Sequence, residues 1–205
     1  MKAINIPEKC GVILLSDTTL FPHGGLPLFI FEPRYRRMIE DSINGDCLFC
    51  VGRLLQEEVP GNAPNAAAVG TIGLIRASRE QQDGTSNLLL HGVIRVRFTR
   101  WLLERDYPLA RIEPVISIPP PEEQESAAMK TLRAAVEDAI AGLPVEIRDN
   151  VNGLLDRADS AALMTDIVSQ QFVHHPDLRQ RLLEEDSVAA RIPLLCEYLR
   201  EATAE

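Results

Sequence analysis

Cys47-x-x-Cys50 is the spacing in this sequence that most directly suggests chemistry. Two thiolates at that interval can hold one side of a tetrahedral zinc or cycle as a redox pair. A zinc site needs a second ligand pair, and the other cysteines, Cys10 and Cys196, are isolated in the chain. Residues 47–51 also read as a strand, where positions three apart point to opposite faces. The expectation is buried structural thiols, with no metal and no cofactor. His174-His175 is a second candidate pair. Adjacent helical positions diverge, so it reads as a C-terminal cap favoured by the helix dipole, not as metal ligands.

Arginine is the other source of chemistry. Of the 21 basic residues only three are lysine. Ile94, Val96 and Phe98 alternate with Arg95, Arg97 and Thr99, a period of two with one face buried and one wet. Arg95 and Arg97 fall on the wet face, and Arg76 and Arg79 lie on the strand expected to pair with it. Such a face could bind an anion or an acidic peptide. The plainer reading is salt bridging to cross-strand carboxylates.

Much chemistry is missing. The chain has no G-x-x-x-x-G-K-[ST] phosphate loop, no G-x-G-x-x-G after a strand, no G-x-S-x-G elbow and no H-E-x-x-H. No catalytic residue is assigned.

The elements that would position these residues change character near residue 120. Ile118-Pro119-Pro120-Pro121-Glu122-Glu123 must stop a strand, because proline cannot donate to a ladder, and it suits a helix start. Before it lie apolar runs at Val12–Leu15, Leu26–Phe31 and Cys47–Val51. A long pair follows, from about Val69 to Arg79 and from about Asn87 to Arg100, joined by the turn signal Asp83-Gly84. Trp101–Leu103 and Leu109–Ile112 suggest a last hairpin. One helix interrupts the strands, from Pro33 to a stop at Gly45. Tyr35, Met38, Ile39 and Ser42/Ile43 lie on one of its faces, and Arg36/Glu40 or Arg37/Asp41 pairs on the other. Gln56 to Ala68 reads as a surface loop. Many short strands with long hairpins suggest a small, partly closed barrel.

After the boundary the apolar period becomes 3.6. Met129, Leu132, Val136, Ile140 and Leu143 form one stripe, and Ile147, Val151, Leu154 and Leu155 a second. Asp159 or Ser160 can cap a third helix carrying Leu163, Met164, Ile167 and Val168. Leu178, Leu182 and Leu183 mark a fourth. Val188, Ile192, Leu195, Cys196 and Leu199 mark a fifth, which Pro193 should kink or delay. The fold class is α+β, with a β domain over 1–120 and a helical bundle over 121–205.

Composition bounds the function. With 205 residues, 45% hydrophobic and 25% charged, a packed core is expected and disorder is not. No apolar run is long enough to cross a membrane and no leader is evident, so the expected location is the cytoplasm, with reduced thiols. Residues 1–120 hold thirteen basic and thirteen acidic side chains. Residues 121–205 hold eight and seventeen, and so carry the whole net charge of -9. That balance argues against nucleic acid as a partner. The acidic helices read as a solvated face.

Several runs together resemble a known family. Leu20-Phe21-Pro22-His23-Gly24-Gly25-Leu26-Pro27-Leu28 is similar to the F-P-G…L-P-L opening of the Lon protease N-terminal domain, with His23 as a departure. Phe29-Ile30-Phe31-Glu32-Pro33-Arg34-Tyr35-Arg36-Arg37-Met38 looks like the signature of its stand-alone members. Val69-Gly70-Thr71-Ile72, Asp83-Gly84-Thr85 and His91-Gly92-Val93-Ile94-Arg95-Val96 match its long hairpin. Gln180 to Arg191 resembles its Q-x-L-L-E-x-x-D-x-x-x-R tail, with Ser187 where the pattern has Asp and Pro193 as a further departure.

The resemblance implies a PUA-like β pseudo-barrel with one inserted helix, followed by a helical bundle. It implies a non-catalytic substrate-recognition module that binds unfolded or specific protein segments for a protease or chaperone system. With the chain ending at Glu205, the ATPase and Ser–Lys protease parts of Lon are expected to be absent. It also points to the loop Phe21, Pro22, His23, Gly24, Gly25 and Leu26 as the peptide-binding surface, while the strand alternation offers Arg95 and Arg97 as an anion or partner face. Phe21 and Leu26 could instead fill the barrel. Two other readings stay open: a PUA-like RNA or small-ligand binder, and an enzyme with a barrel pocket around His91 and the arginines.

Overall fold

The structure, a computed structural model, describes residues 5–56 and 62–202. It divides into two compact units, residues 1–115 and 116–205. The α+β class expected from the sequence is the one observed.

The first unit is a six-stranded sheet with one helix. Its elements are β1 (Lys9–Leu15), β2 (Gly25–Ile30), α1 (Pro33–Ile43), β3 (Leu48–Arg53), β4 (Val69–Glu80), β5 (Ser86–Leu102) and β6 (Leu109–Val115). The strand order is β2-β5-β4-β3-β1-β6, and β6 returns to pair with β5. β5 makes that closure possible. Its first part, Ser86–His91, pairs with β2, and its second part, Arg95–Leu102, pairs with β6 along the same edge. β4 runs along the opposite edge and forms the long hairpin. Gly84 supplies the left-handed backbone that the hairpin tip requires, at φ 76. Asp83 braces that tip by accepting hydrogen bonds from the Thr85 amide and hydroxyl. The expected break between Arg100 and Trp101 does not occur, because Trp101 and Leu102 continue β5 opposite Ala110 and Leu109.

β1 and β3 are the parallel pair, linked by a crossover through β2 and α1. α1 starts at Pro33 and buries Tyr35, Met38 and Ile39 against the barrel. The Leu14 amide donates to the Tyr35 hydroxyl. Ile43, the last residue of the helix, is exposed. The i,i+4 pairs expected on the outer face give way to longer-range bonds. Arg36 donates to the Phe31 and Asp83 carbonyls, and Arg37 pairs with Asp106. Part of the expected surface loop, residues 57–61, lies outside the described residues. Its described C-terminal flank is irregular apart from the bridge of Ala66 to Leu54.

The second unit contains α2 (Glu122–Ala139), α3 (Val145–Leu155), α4 (Ala161–Phe172), α5 (Pro176–Glu184) and α6 (Val188–Ala202). Leu132, Val136, Met164, Val168, Leu182, Val188, Leu195 and Leu199 fill its core. Leu143 drops out of the first stripe and is exposed, since α2 ends before it. Ser160 caps α4 by accepting from the Leu163 amide, as its position implies. α6 begins at Val188 and runs through Pro193, which sits in its second turn. The segment before α2 belongs to this unit too. The Ile118 amide donates to the Asp186 carbonyl, and the Val188 amide donates back to Ile118. The division therefore falls at Val115/Ile116, a few residues before the proline run. Among the described residues no helix is long and apolar enough to cross a membrane.

Candidate functional site

The segment that the sequence singles out, Phe21 to Leu26, is a tight turn docked on β5. The Gly24 amide donates to the Phe21 carbonyl, with Pro22 second in the turn and His23 third at φ 62. The turn is pinned by His23 N–H to the Gly92 carbonyl and by Gly92 N–H to the Gly24 carbonyl, both 2.8 Å. Gly92 is required there, because a Cβ would lie 2.1 Å from the Phe21 carbonyl oxygen. Phe21 is fully buried and Pro22 buried, whereas His23 and Gly25 are exposed and Leu26 is half-buried. Phe21 and Pro22 therefore do not present the apolar surface expected of them. They cover the sheet.

The same covering overturns the expectation of a wet arginine face at Arg95. Arg95 and Arg97 do share one side of β5, but Arg95 is 2% exposed. Its guanidinium lies 5.8 Å from the centroid of the Phe21 ring, an attractive cation–π geometry. Opposite Arg95 on β4, the buried Thr71 hydroxyl donates to the Leu20 carbonyl. Residues 20–21 thus lie over this part of the sheet, and only Arg97 reaches solvent.

Large apolar side chains are exposed one strand further along. β2 buries or half-buries Leu26, Leu28 and Ile30 and turns Gly25, Pro27 and Phe29 outward. Phe29 and the following Phe31 are each 56% exposed and stack with ring centroids 6.1 Å apart. On β5, the outward Leu89, paired with Pro27, is 44% exposed. These residues were not singled out from the sequence. The available signal is that Leu26 to Phe31 is apolar at every position, so a strand with only one covered face must expose the other set.

His91 sits at the end of this face, opposite Gly25 and 6.4 Å from the His23 ring. Burial, then the charges of Arg76 and His23, hold its imidazole below the ordinary histidine pKa. Two clefts of this unit, of about 360 and 450 Å³, are lined by other residues, so neither is the pocket around His91 that the alternative enzyme reading requires. In the first cleft the Tyr107 hydroxyl donates to Asp41 at 2.6 Å. Burial and that bond push Tyr107 up to about 12.

The cysteines are arranged differently from the expected strand pair. Cys47 precedes β3 in a left-handed turn at φ 58, and Cys50 is buried within β3. Cys10 is not isolated. The parallel β1–β3 register brings it near Cys50, and its thiol donates to the Leu48 carbonyl. Burial above all, and then Cys10, push the Cys50 thiol up. Natively folded protein at about pH 8 should therefore show Cys10 and Cys50 inert to a disulfide reagent, with only Cys47 and Cys196 reacting. All four should react in denaturant. Immediate native titration of four thiols contradicts this packing. His174 and His175 are exposed in the link between α4 and α5, with His175 at the start of α5.

Comparison with known proteins decides the family. Residues 9–201 match the ATP-dependent protease La (LON) substrate-binding domain. The chain belongs to that family. It is 24% identical over 204 residues to Lon protease 2 of Bdellovibrio bacteriovorus, covering 97% of this chain and 25% of that protein. It is 24% identical to Lon protease 2 of Myxococcus xanthus, covering 95% and 24%. The chain therefore spans about a quarter of the length of these relatives. Two solved structures share the fold. One is the N-terminal domain of Mycobacterium avium complex Lon protease, with a TM-score of 0.76 at 13% identity over 94% of this chain and 98% of that one. The other is the Lon N-terminal domain protein from Xanthomonas campestris, with a TM-score of 0.63 at 21% identity over 92% and 97%. The matched domain is the substrate-binding, non-catalytic part of Lon.

For a Lon substrate-binding domain, the tail pattern now has a physical reading. Gln180 donates to Glu184 one turn on. Arg191 is fully buried and donates to the Glu185 carbonyl at 2.7 Å and the Ser117 hydroxyl at 2.9 Å, and it faces Asp166 at 3.6 Å. Arg179 caps the end of α4 by donating to the Val173, Ser169 and Gln170 carbonyls. Ser187, where the pattern has Asp, accepts from the Ala190 amide and so caps α6. Either residue type performs that task.

Proposed function

We propose that this chain is a non-catalytic module that holds unfolded protein segments through the outward face of β2 and β5. The family match supports the substrate class, and the exposed, stacked Phe29 and Phe31 beside Leu89 are the observation that carries the surface. Contiguous apolar side chains at a sheet edge are costly to leave in water and are recovered on binding. This places recognition next to the Phe21–Leu26 turn, which holds β2 on β5. His23, Gly25 and Leu26 form the rim of the face. The client then passes to a protease or chaperone system, in keeping with the protease family to which the domain belongs.

The test is capture of a reduced, carboxymethylated protein by immobilised chain. Phe29→Ser with Leu89→Ser should cut retention about tenfold while the melting temperature barely moves, because exposed contacts contribute little to folding. Retention unchanged by both substitutions refutes this surface. Hydrolysis of the captured protein refutes the non-catalytic role.

A further inference from the structure

The outward face is a grid three strands wide. Read across β2, β5 and β4, its rows are Gly25–His91–Leu74, Pro27–Leu89–Ala77 and Phe29–Asn87–Arg79. Its β2 side is apolar and its β4 side is basic. Arg79 ends the row of Phe29. Arg76 stands at the register shift between Ile75 and Ala77, near enough to His91 to act on its charge. Both arginines are exposed, and among the described residues neither has a carboxylate partner. The cross-strand salt bridges expected for them are not formed among the described residues. Glu80 follows Arg79 but lies on the opposite side of β4, in the cleft lined by α1.

β2 has a strand on one edge only, yet Pro27 stands in the middle of it without a backbone donor. Proline blunts an edge against strand addition. A partner is therefore better held across the face than beside it. Two inter-strand steps separate β2 from β4, roughly 10 Å, and an extended chain covers that in about three residues. We infer that the face selects acidic–apolar segments: an aromatic or aliphatic residue over Pro27, Phe29 and Leu89, with a carboxylate about three residues away on Arg76 and Arg79. This rests on the proposed protein-binding role and gives its client a chemistry. A guanidinium pairs bidentately with a carboxylate. The chain as a whole carries -9, so its overall field favours basic peptides, and a preference for acidic ones reports the local arginines.

The experiment is fluorescence anisotropy with three labelled peptides that share apolar residues and differ only in Glu, Gln or Lys three residues on. The Glu peptide should bind about tenfold more tightly than the Gln peptide. Arg76→Gln with Arg79→Gln should erase that difference and leave the Gln peptide's affinity unchanged. If the Glu and Gln peptides bind equally, and Phe29→Ser weakens both, the charge selection falls and the binding role stands. If no peptide binds, and no unfolded protein is captured, both fall. Displacement of the Glu peptide by single-stranded RNA overturns the inference. So does a dimer that Phe29→Ser dissociates, since the face would then be covered by a second copy.

Discussion

Arg191→Met should be among the most damaging single changes in the helical unit. The side chain is fully buried and satisfies the Glu185 carbonyl and the Ser117 hydroxyl while facing Asp166, itself 4% exposed. Methionine fills the volume but donates nothing. Removing one partner of a buried pair leaves the other charge uncompensated, at a cost of about 3–5 kcal/mol. For a unit of this size that corresponds to a fall in melting temperature on the order of 15 °C or more. Ellipticity at 222 nm through a urea titration measures it. Adding Asp166→Leu should recover part of the loss, because the stranded carboxylate is removed. A midpoint unmoved by Arg191→Met would mean that the clamp contributes nothing.

Phe21→Ala should unfold the barrel at much lower denaturant while leaving the binding chemistry of Phe29 untouched. Phe21 is fully buried with Arg95 beneath it, so truncation leaves a cavity and strips the guanidinium of its aromatic cover. Core Phe→Ala changes cost about 3–5 kcal/mol. Gly92→Ala attacks the same joint from the other side by pushing its Cβ into the Phe21 carbonyl. Trp101, the one tryptophan, lies in β5 and packs 5.1 Å from Phe98, so its fluorescence follows this unit. Phe29→Ser, one strand away, should shift the same transition by less than about 0.5 kcal/mol. Equal effects of Phe21→Ala and Phe29→Ser would refute the division between support and surface.

Features set by short stretches of chain were legible in the sequence. The Asp83-Gly84 turn, the alternation through β5, the start of α1 at Pro33 and the Ser160 cap each depend on neighbours a few residues apart. What escaped depends on distant segments. Period two places Arg95 and Arg97 on one face, but it cannot say that residues 20–21 lie across that face at Arg95 only. Cys10 and Cys50 meet through a parallel pairing that no local pattern encodes. Trp101–Leu103 reads as a fresh strand because apolar character alone does not reveal that β6 pairs along the later part of β5. From the sequence, Phe29 and Phe31 read as part of an apolar run and of the family signature, neither of which marks them as exposed. An all-apolar strand says that two faces are apolar, and the sheet order says which one is bare.

The return of β6 to β5 also sets an order of events during synthesis. β1 pairs with β3 and with a strand that begins only at Leu109, so its backbone stays half unpaired until nearly the whole first unit has left the ribosome. Such pairings, closing loops of most of a domain, are slow to form and expose strand edges while they wait. The helical unit waits as well, because α2 packs chiefly on α6, the last helix to be made. A nascent chain of this protein therefore passes through a stage in which it displays an unpaired apolar strand.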